Sequence, residues 1–500
     1  MIAKKTASSN TKGKKVTNKK TAPKKKPATI KLGKKGVKTK KAVTKKSVSK
    51  TEVFSPKFIR DPIHDLIRID SPEALAIINS KPFQRLREIK QLGFTYLVYP
   101  GAEHTRFTHS LGVYHLSKRM YNQLVPLKKQ TDTERKLVEV TALLHDIGHG
   151  PFSHQFEEVL KKEIKYKYYQ KHEKWSMQII KKHPEFTKKL SRSMINNITK
   201  ILNPVNNKFY KTHLKAIISS QFDVDRFDYM LRDSYMTGVR YGKFDLNWIF
   251  RNISLENVES LDPDKKDKYT KATIVIDGKR GISSLENYLI GNFQLYQNVY
   301  FHKTILAANT LFSKTLKRAI ILEKDNKEIE HKNPIQLSKI ANDKKLTLEE
   351  YLELTDNFIV DWIKFWNKYS KDDILVDLTD RLLSRNIFKS KEVTITSIAN
   401  YTEKLNSIKE FLNQNGLNSD YYLYTYEPSR NAYDNLFDSM AKGEIGNEIW
   451  IKENKTSKPK TYTDFSQKNT ISNAILKLEY KKYYIIYPQE VSDLVDSLFN

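Results

Sequence analysis

Apolar positions along this 500-residue chain change period several times, and the changes divide it into elements. Residues 54–70 carry Ile59, Ile63, Leu66, Ile67 and Ile69 among polar and turn residues, which predicts strand–turn–strand. From Ser71 the spacing becomes three and four residues, that of a helix buried along one face. Ser71-Pro72-Glu73 gives the first helix an N-cap serine, a proline at its first position and an acid in its first turn. Pro82-Phe83 opens a second, predicted to run through Lys90-Gln91 and end at Gly93. In a third, Val113, Leu116 and Met120 share a face with His109. Thr131-Asp-Thr-Glu134 has the capping-box pattern and precedes an apolar run of Leu137, Val140, Ala142, Leu143 and Leu144. Gly148 and Gly150-Pro151 stop that helix, since glycine tolerates positive φ and proline cannot continue the ladder.

Farther on, residues 181–210 read as short helices and loops, and Thr212 to about Arg232 as one helix. Lys271–Asp277 is a predicted strand, turned by Gly278 and Gly281. A long helix from Ser283 to about Arg318 follows, with Leu285, Leu289, Asn292, Tyr296, Tyr300 and Lys303 at helical steps. Thr347-Leu-Glu-Glu350 is a second capping box, Gly416 a C-cap, and Glu448–Ile451 and Lys482–Tyr487 are strands flanking a helix near Thr470–Glu479. The fold class is mainly α, a helical core with a smaller α+β C-terminal region. Three stretches are expected: a disordered Lys-rich tail (1–50), the domain carrying the chemistry (51–318) and a helical and α+β region (319–500).

Composition narrows the class. A hydrophobic fraction of 39% supports a proper core, and zero cysteines exclude disulfides, thiolate metal sites and cysteine nucleophiles. No apolar run reaches the length of a membrane span, and the N-terminus lacks the apolar segment of a secretory signal. The expectation is an intracellular, cytoplasmic protein without a membrane partner, the basic tail allowing nucleoid or nucleus. Of the net charge of +31, residues 1–50 supply 19 lysines with no Arg, Asp, Glu or aromatic, which leaves +12 on the body. Such a tail cannot bury enough apolar surface to order itself. It suits salt-dependent contact with nucleic acid phosphates, or simple solvation; it lacks the groups that read bases.

The chemistry gathers at Thr141-Ala-Leu-Leu-His-Asp-Ile-Gly-His-Gly-Pro-Phe-Ser-His154, with three histidines and an aspartate between His145 and His154. A His-Asp pair alone is expected by chance in a chain this long. Two other stretches change that. Arg106-Phe-Thr-His109 places a histidine in a helix, with Arg106 a turn earlier able to reach a phosphate on the same side. Phe222 to Asp233 holds Asp223, Asp225 and Asp228 among aromatics, against the bland reading of a solvated acidic face. Two imidazoles and two carboxylates from these stretches would suit one divalent ion (Mn, Mg, Fe, Zn or Ni) and leave room for water. His149, His154 and His172 are further imidazoles suited to proton transfer near neutral pH.

Five ordered motifs carry a resemblance: Asp61-Pro-Ile-His64, Phe83 to Gly93, Arg106 to Gly112, His145 to His154 and Asp223 to Tyr229. Together they resemble the HD-domain metal phosphohydrolases, and within them the branch that cleaves deoxynucleoside triphosphates (dNTPs). The resemblance implies His109, His145, Asp146 and Asp225 as metal ligands and gives His64 a packing role. It implies His154 as general acid oriented by Glu157, with His149, His172 and Arg106 on the phosphate side. It places Gln91, Arg226, Tyr229, Asp233, Tyr300 and Lys303 around the nucleotide, and Gln84 and Arg87 beside a regulatory nucleotide site. Departures stand at Asn79, where the animal enzyme has its guanine-reading acid, at Arg60, which takes an Asn position beside the retained Lys57, and at Asn292, where it has a phosphate-binding arginine. The expected reaction is metal-assisted hydrolysis of a dNTP to deoxynucleoside and triphosphate, in a homo-oligomer (dimer or tetramer) with a nucleotide effector. Alternatives are an HD-type nuclease or phosphodiesterase on nucleic acid or cyclic nucleotide, and a non-enzymatic nucleotide sensor or nucleic-acid-binding protein.

Overall fold

The structure, a computed structural model, describes residues 54–203, 211–261, 268–325, 333–434 and 448–499. The basic tail therefore lies outside the described residues. The predicted hairpin forms: Lys57–Asp61 pairs antiparallel with Asp65–Ile69, burying Ile67 and Ile69. Helix Pro72–Ile78 begins as its sequence requires, Ser71 Oγ accepting from Ala74 N at 3.1 Å.

The core is built around helix Arg106–Leu124, which is buried over most of its length and packs between helices Asp132–Leu144 and Val224–Thr237. A second apolar cluster joins Phe94, Phe152 and Phe156 to the later helices Ile335–Ala341 and Asp356–Tyr369. A third sits under a three-stranded antiparallel sheet in which Tyr483–Tyr487 lies between Lys389–Val393 and Tyr424–Tyr426. In the four-stranded sheet, Ile253–Leu261 pairs antiparallel with Lys268–Asp277, which runs parallel to Trp450–Lys452. Thr347 and Glu350 make the expected reciprocal cap, and Gly416 takes φ 76°. Phe54–Asn500 is one compact unit, and no helix among the described residues is long and apolar enough to cross a membrane.

Five predicted features differ, each for a local reason. The Pro82–Gln91 helix is only a short turn, Lys81–Gln84, then a 3-10 turn, Arg85–Glu88; Lys90 is drawn into a bridge with Thr105. Thr212 to Arg232 is two helices, Thr212–Ile218 and Val224–Thr237, because Asp223 accepts from Ser220 N and Arg226 N and starts the second one afresh. The long helix after Ser283 is interrupted by a wide turn at Tyr296–Tyr300, and the His302 ring caps Lys303–Lys324 by accepting from Thr304 N. Gly148 and Gly150 are not at positive φ; Phe152 (51°) and Ser153 (53°) are. Gly148 is needed for space, since a Cβ there would come within 2.2 Å of His172 O and Ser176 N. Thr131 makes only half a capping box: it accepts from Glu134 N, while the Glu134 carboxylate bonds Lys211.

Candidate active site

His109 lies in the buried central helix, and His145 caps the end of Asp132–Leu144. Each ring is oriented through Nδ1: His109 donates to Asp228 Oδ2 at 2.8 Å, and His145 donates to Ala142 O at 2.8 Å. Both Nε2 atoms are thereby left buried without a hydrogen-bond partner. Asp225 Oδ1 approaches His109 Nε2 to 2.9 Å and His145 Nε2 to 3.7 Å. One donor atom from each of these three residues falls within 4.8 Å of the others. Asp146 flanks the group, Oδ1 lying 3.4 Å from His145 Nε2 and Oδ2 3.7 Å from His109 Nε2. Two orphaned imidazole nitrogens converging with carboxylate oxygens fit a divalent cation. Electrostatics agrees. Burial alone would depress His109, yet Asp225 and Asp228 raise it to about 10, so the cluster demands a positive charge.

Beside this group stand the other three histidines. His149 and His172 stack with centroids 3.7 Å apart, and His154 is edge-on to both. Glu157 accepts from His172 Nδ1 at 3.0 Å and His172 N at 2.6 Å, and lies 3.3 Å from His154 Nδ1. The two stacked rings are pushed apart in proton affinity. Burial, then Arg106 and His172, hold His149 well below the usual histidine range. For His172 burial acts the same way but is overcome by Glu157, which raises it. His154 is 66% exposed and faces the opening. Arg106 ties the parts together, bonding Asp146 through Nη1 and Ser153 Oγ through Nε at 2.8 Å.

Arg106, Ser153 and His154 line a cavity of about 270 Å³. Gln91, Tyr229, Asp233 and Tyr300 line it as well, with Asn309 and Tyr426. Asp233 accepts from His104 Nε2 at 2.8 Å and Tyr300 OH at 2.7 Å, while Gln91 Oε1 is buried without a partner. Arg226 Nε donates to Ser220 O at 2.9 Å with its charge beside Tyr229 and Tyr296, and Lys303 lines a separate cavity of about 610 Å³ with His302, Tyr480 and Lys482.

The span 106–233 matches the family described as HD domain. The chain is 34% identical over 384 residues to the uncharacterized protein YwfO of Bacillus subtilis, covering 76% of this chain and 81% of that one. The chain belongs to the HD-domain phosphohydrolase superfamily. It is also 30% identical over 372 residues to the deoxynucleoside triphosphate triphosphohydrolase SAMHD1 of Bos taurus, covering 67% of this chain and 58% of that protein. Among solved structures, a phosphohydrolase from Bacteroides thetaiotaomicron superposes with a TM-score of 0.69 at 29% identity, over 87% of this chain and all of that one.

The HD residues rest on a layer that sequence reasoning missed. Asp228 accepts from His109 Nδ1, from His64 Nε2 at 2.6 Å and from Arg232 Nε and Nη2, and Arg232 also holds Asp61. His64 is thus bonded into the site's support as well as packed, its ring stacked on His115. Gly112 makes room for this layer: a Cβ there would come 1.8 Å from Asp228 Oδ1. A signal existed, since Asp228 follows Asp225 by three residues and so shares its side of the helix. His104, which holds Asp233, sits two residues before the Arg106 motif and had no such mark.

Proposed function

We propose that this HD protein hydrolyses dNTPs to deoxynucleoside and triphosphate. One observation carries the reading: Arg106 bonds the metal-ligand group and also lines a cavity together with Gln91, Asp233 and Tyr300. His109, His145 and Asp225, with Asp146 at their flank, would hold the ion. A divalent ion bound there supplies Lewis-acid activation of water and of a phosphate oxygen.

The chain's own groups do the remainder. Gln91, its amide oxygen unpartnered, and Tyr229 and Tyr300 hold the sugar and base end. Arg106 and protonated His172 balance charge that develops on the phosphates. The water oxygen bonds to the α-phosphorus as the bond from that phosphorus to the 5′ oxygen breaks. His154, poised by Glu157 at the opening, donates a proton to the departing 5′ oxygen. Assembly as a homo-oligomer and control by a nucleotide effector belong to the same reading.

The test incubates the purified protein with each of the four dNTPs, alone and mixed, with Mn or Mg, and separates products to find intact triphosphate. A His145→Ala/Asp146→Ala variant runs beside it. Triphosphate from the native protein alone supports the reaction, and release only in the mixture adds an effector site. No release under any mixture sinks the dNTP reading and directs the same pair of proteins to RNA, DNA and cyclic nucleotides.

A further inference from the structure

The segment Tyr351–Asp356 lies well outside the HD match, yet it grips the loop between His145 and His154 at successive points. Tyr351 OH donates to Gly148 O at 2.7 Å. Arg85 bridges the two segments, donating to His149 O at 2.8 Å and Leu354 O at 2.6 Å. Asp356 then closes the grip: Oδ1 accepts from Phe152 N at 2.6 Å and Oδ2 from Lys90 N at 2.9 Å.

Both amides stand at sensitive places. Phe152 and Ser153 are consecutive non-glycine residues at positive φ, a conformation costing about 1–3 kcal/mol each that persists only when the surroundings over-determine it. Ser153 receives Arg106 Nε, and His154 follows directly. Lys90 precedes Gln91 in the segment that pairs with Thr105, and its carbonyl accepts from Ser153 Oγ at 3.4 Å. A single carboxylate therefore ties together the backbones of two cavity-lining segments. It is buried, 3% exposed, and the Phe152 ring is buried too, stacked on Phe94.

We propose that Asp356 is a positioning residue of the HD site: it holds the Phe152–His154 turn against the Lys90–Gln91 segment. The inference rests on the reading that this cavity is where the phosphoester is cleaved. Asp356 touches no reacting atom. Its removal would let Phe152–Ser153 relax and carry Arg106 and His154 out of alignment, and misplacement of about 1 Å is enough to cost about 10²-fold in rate.

The test compares full-length Asp356→Asn with Leu375→Ala, a substitution in the same apolar cluster at a residue that does not line the cavity. Turnover of the four-dNTP mixture and of bis(p-nitrophenyl) phosphate with Mn is measured at a temperature where both variants are folded. Amide exchange over residues 85–92 and 148–156 is followed without substrate. Asp356→Asn is expected to lower kcat about 10–100-fold with KM changed by less than about 3-fold, and to speed exchange in those two stretches alone. Leu375→Ala, at equal or greater loss of Tm, should keep kcat and exchange there. Native kcat in Asp356→Asn, or an equal kcat loss in Leu375→Ala, overturns the proposal. Should the native protein turn over neither substrate, the function proposed above fails and exchange decides this one: acceleration confined to the two stretches upholds the clamp, and unchanged exchange overturns it.

Discussion

Behind His109 and around the neighbouring His149, the protein uses the same residue types to opposite ends. On the His109 side Asp228 receives four donors, from His109, His64 and twice from Arg232, and all of these side chains are buried. Every ring there has one orientation. On the His149 side two stacked neighbours differ in proton affinity, and His154 stands in the open. A saturated network holds an ion in one place. An unsaturated one leaves protons somewhere to go.

That contrast can be broken from either side. The largest effect is expected from Asp225→Asn, which removes a carboxylate from the ion group: bound Mn should be lost on gel filtration and turnover should fall to background. Retained metal with retained turnover would falsify the assignment of Asp225. Next comes His172→Gln on the adaptable side, expected to cut kcat by about 10²–10⁴-fold while metal content stays native; a variant that loses its metal would place His172 with the ion instead. Asp228→Asn should weaken metal affinity about 10–100-fold in calorimetric titration, with a clear loss in denaturant midpoint, because Arg232 and His64 lose a charged acceptor. Equal affinity would show that His109 needs no partner to stay in place.

The smallest effect concerns Glu139, buried beneath the central helix near Tyr114, Lys118 and Arg135. Burial raises its carboxyl from an ordinary 4.5 to about 7. The folded state therefore holds its proton more tightly than the unfolded chain. That stability is fully present below about pH 4.5 and is lost as pH rises through about 7. Denaturant titrations should find Glu139→Gln gaining about 2–3 kcal/mol on the native protein between pH 4.5 and pH 8, and parallel pH curves would refute it.

Legibility in the sequence follows the range of the interaction. Ser71, Thr347 and Gly416 cap helices through neighbours a few residues away, so their roles could be read directly. His109, His145 and Asp225 were legible because the ligands keep fixed order and company along the chain. The helix breaks at residues 219–223 and 296–302 were not, because the hydrophobic period continues across them while a side chain, Asp223 or the His302 ring, restarts the backbone. Asp356 was hidden for another reason. Its partner Phe152 stands 204 residues away, a separation that no local pattern records. Lys303 shows the converse: it occupies a motif position, yet it lines a different cavity from Gln91 and Tyr300.

The hydrogen atom that serves as the side chain of Gly112 has a practical corollary. A single methyl group placed there collides with Asp228 and leaves every titratable group, the net charge and the isoelectric point unchanged. Gly112→Ala is therefore the matched blank for work in living cells, where a basic protein's charge alone governs much of what it adheres to.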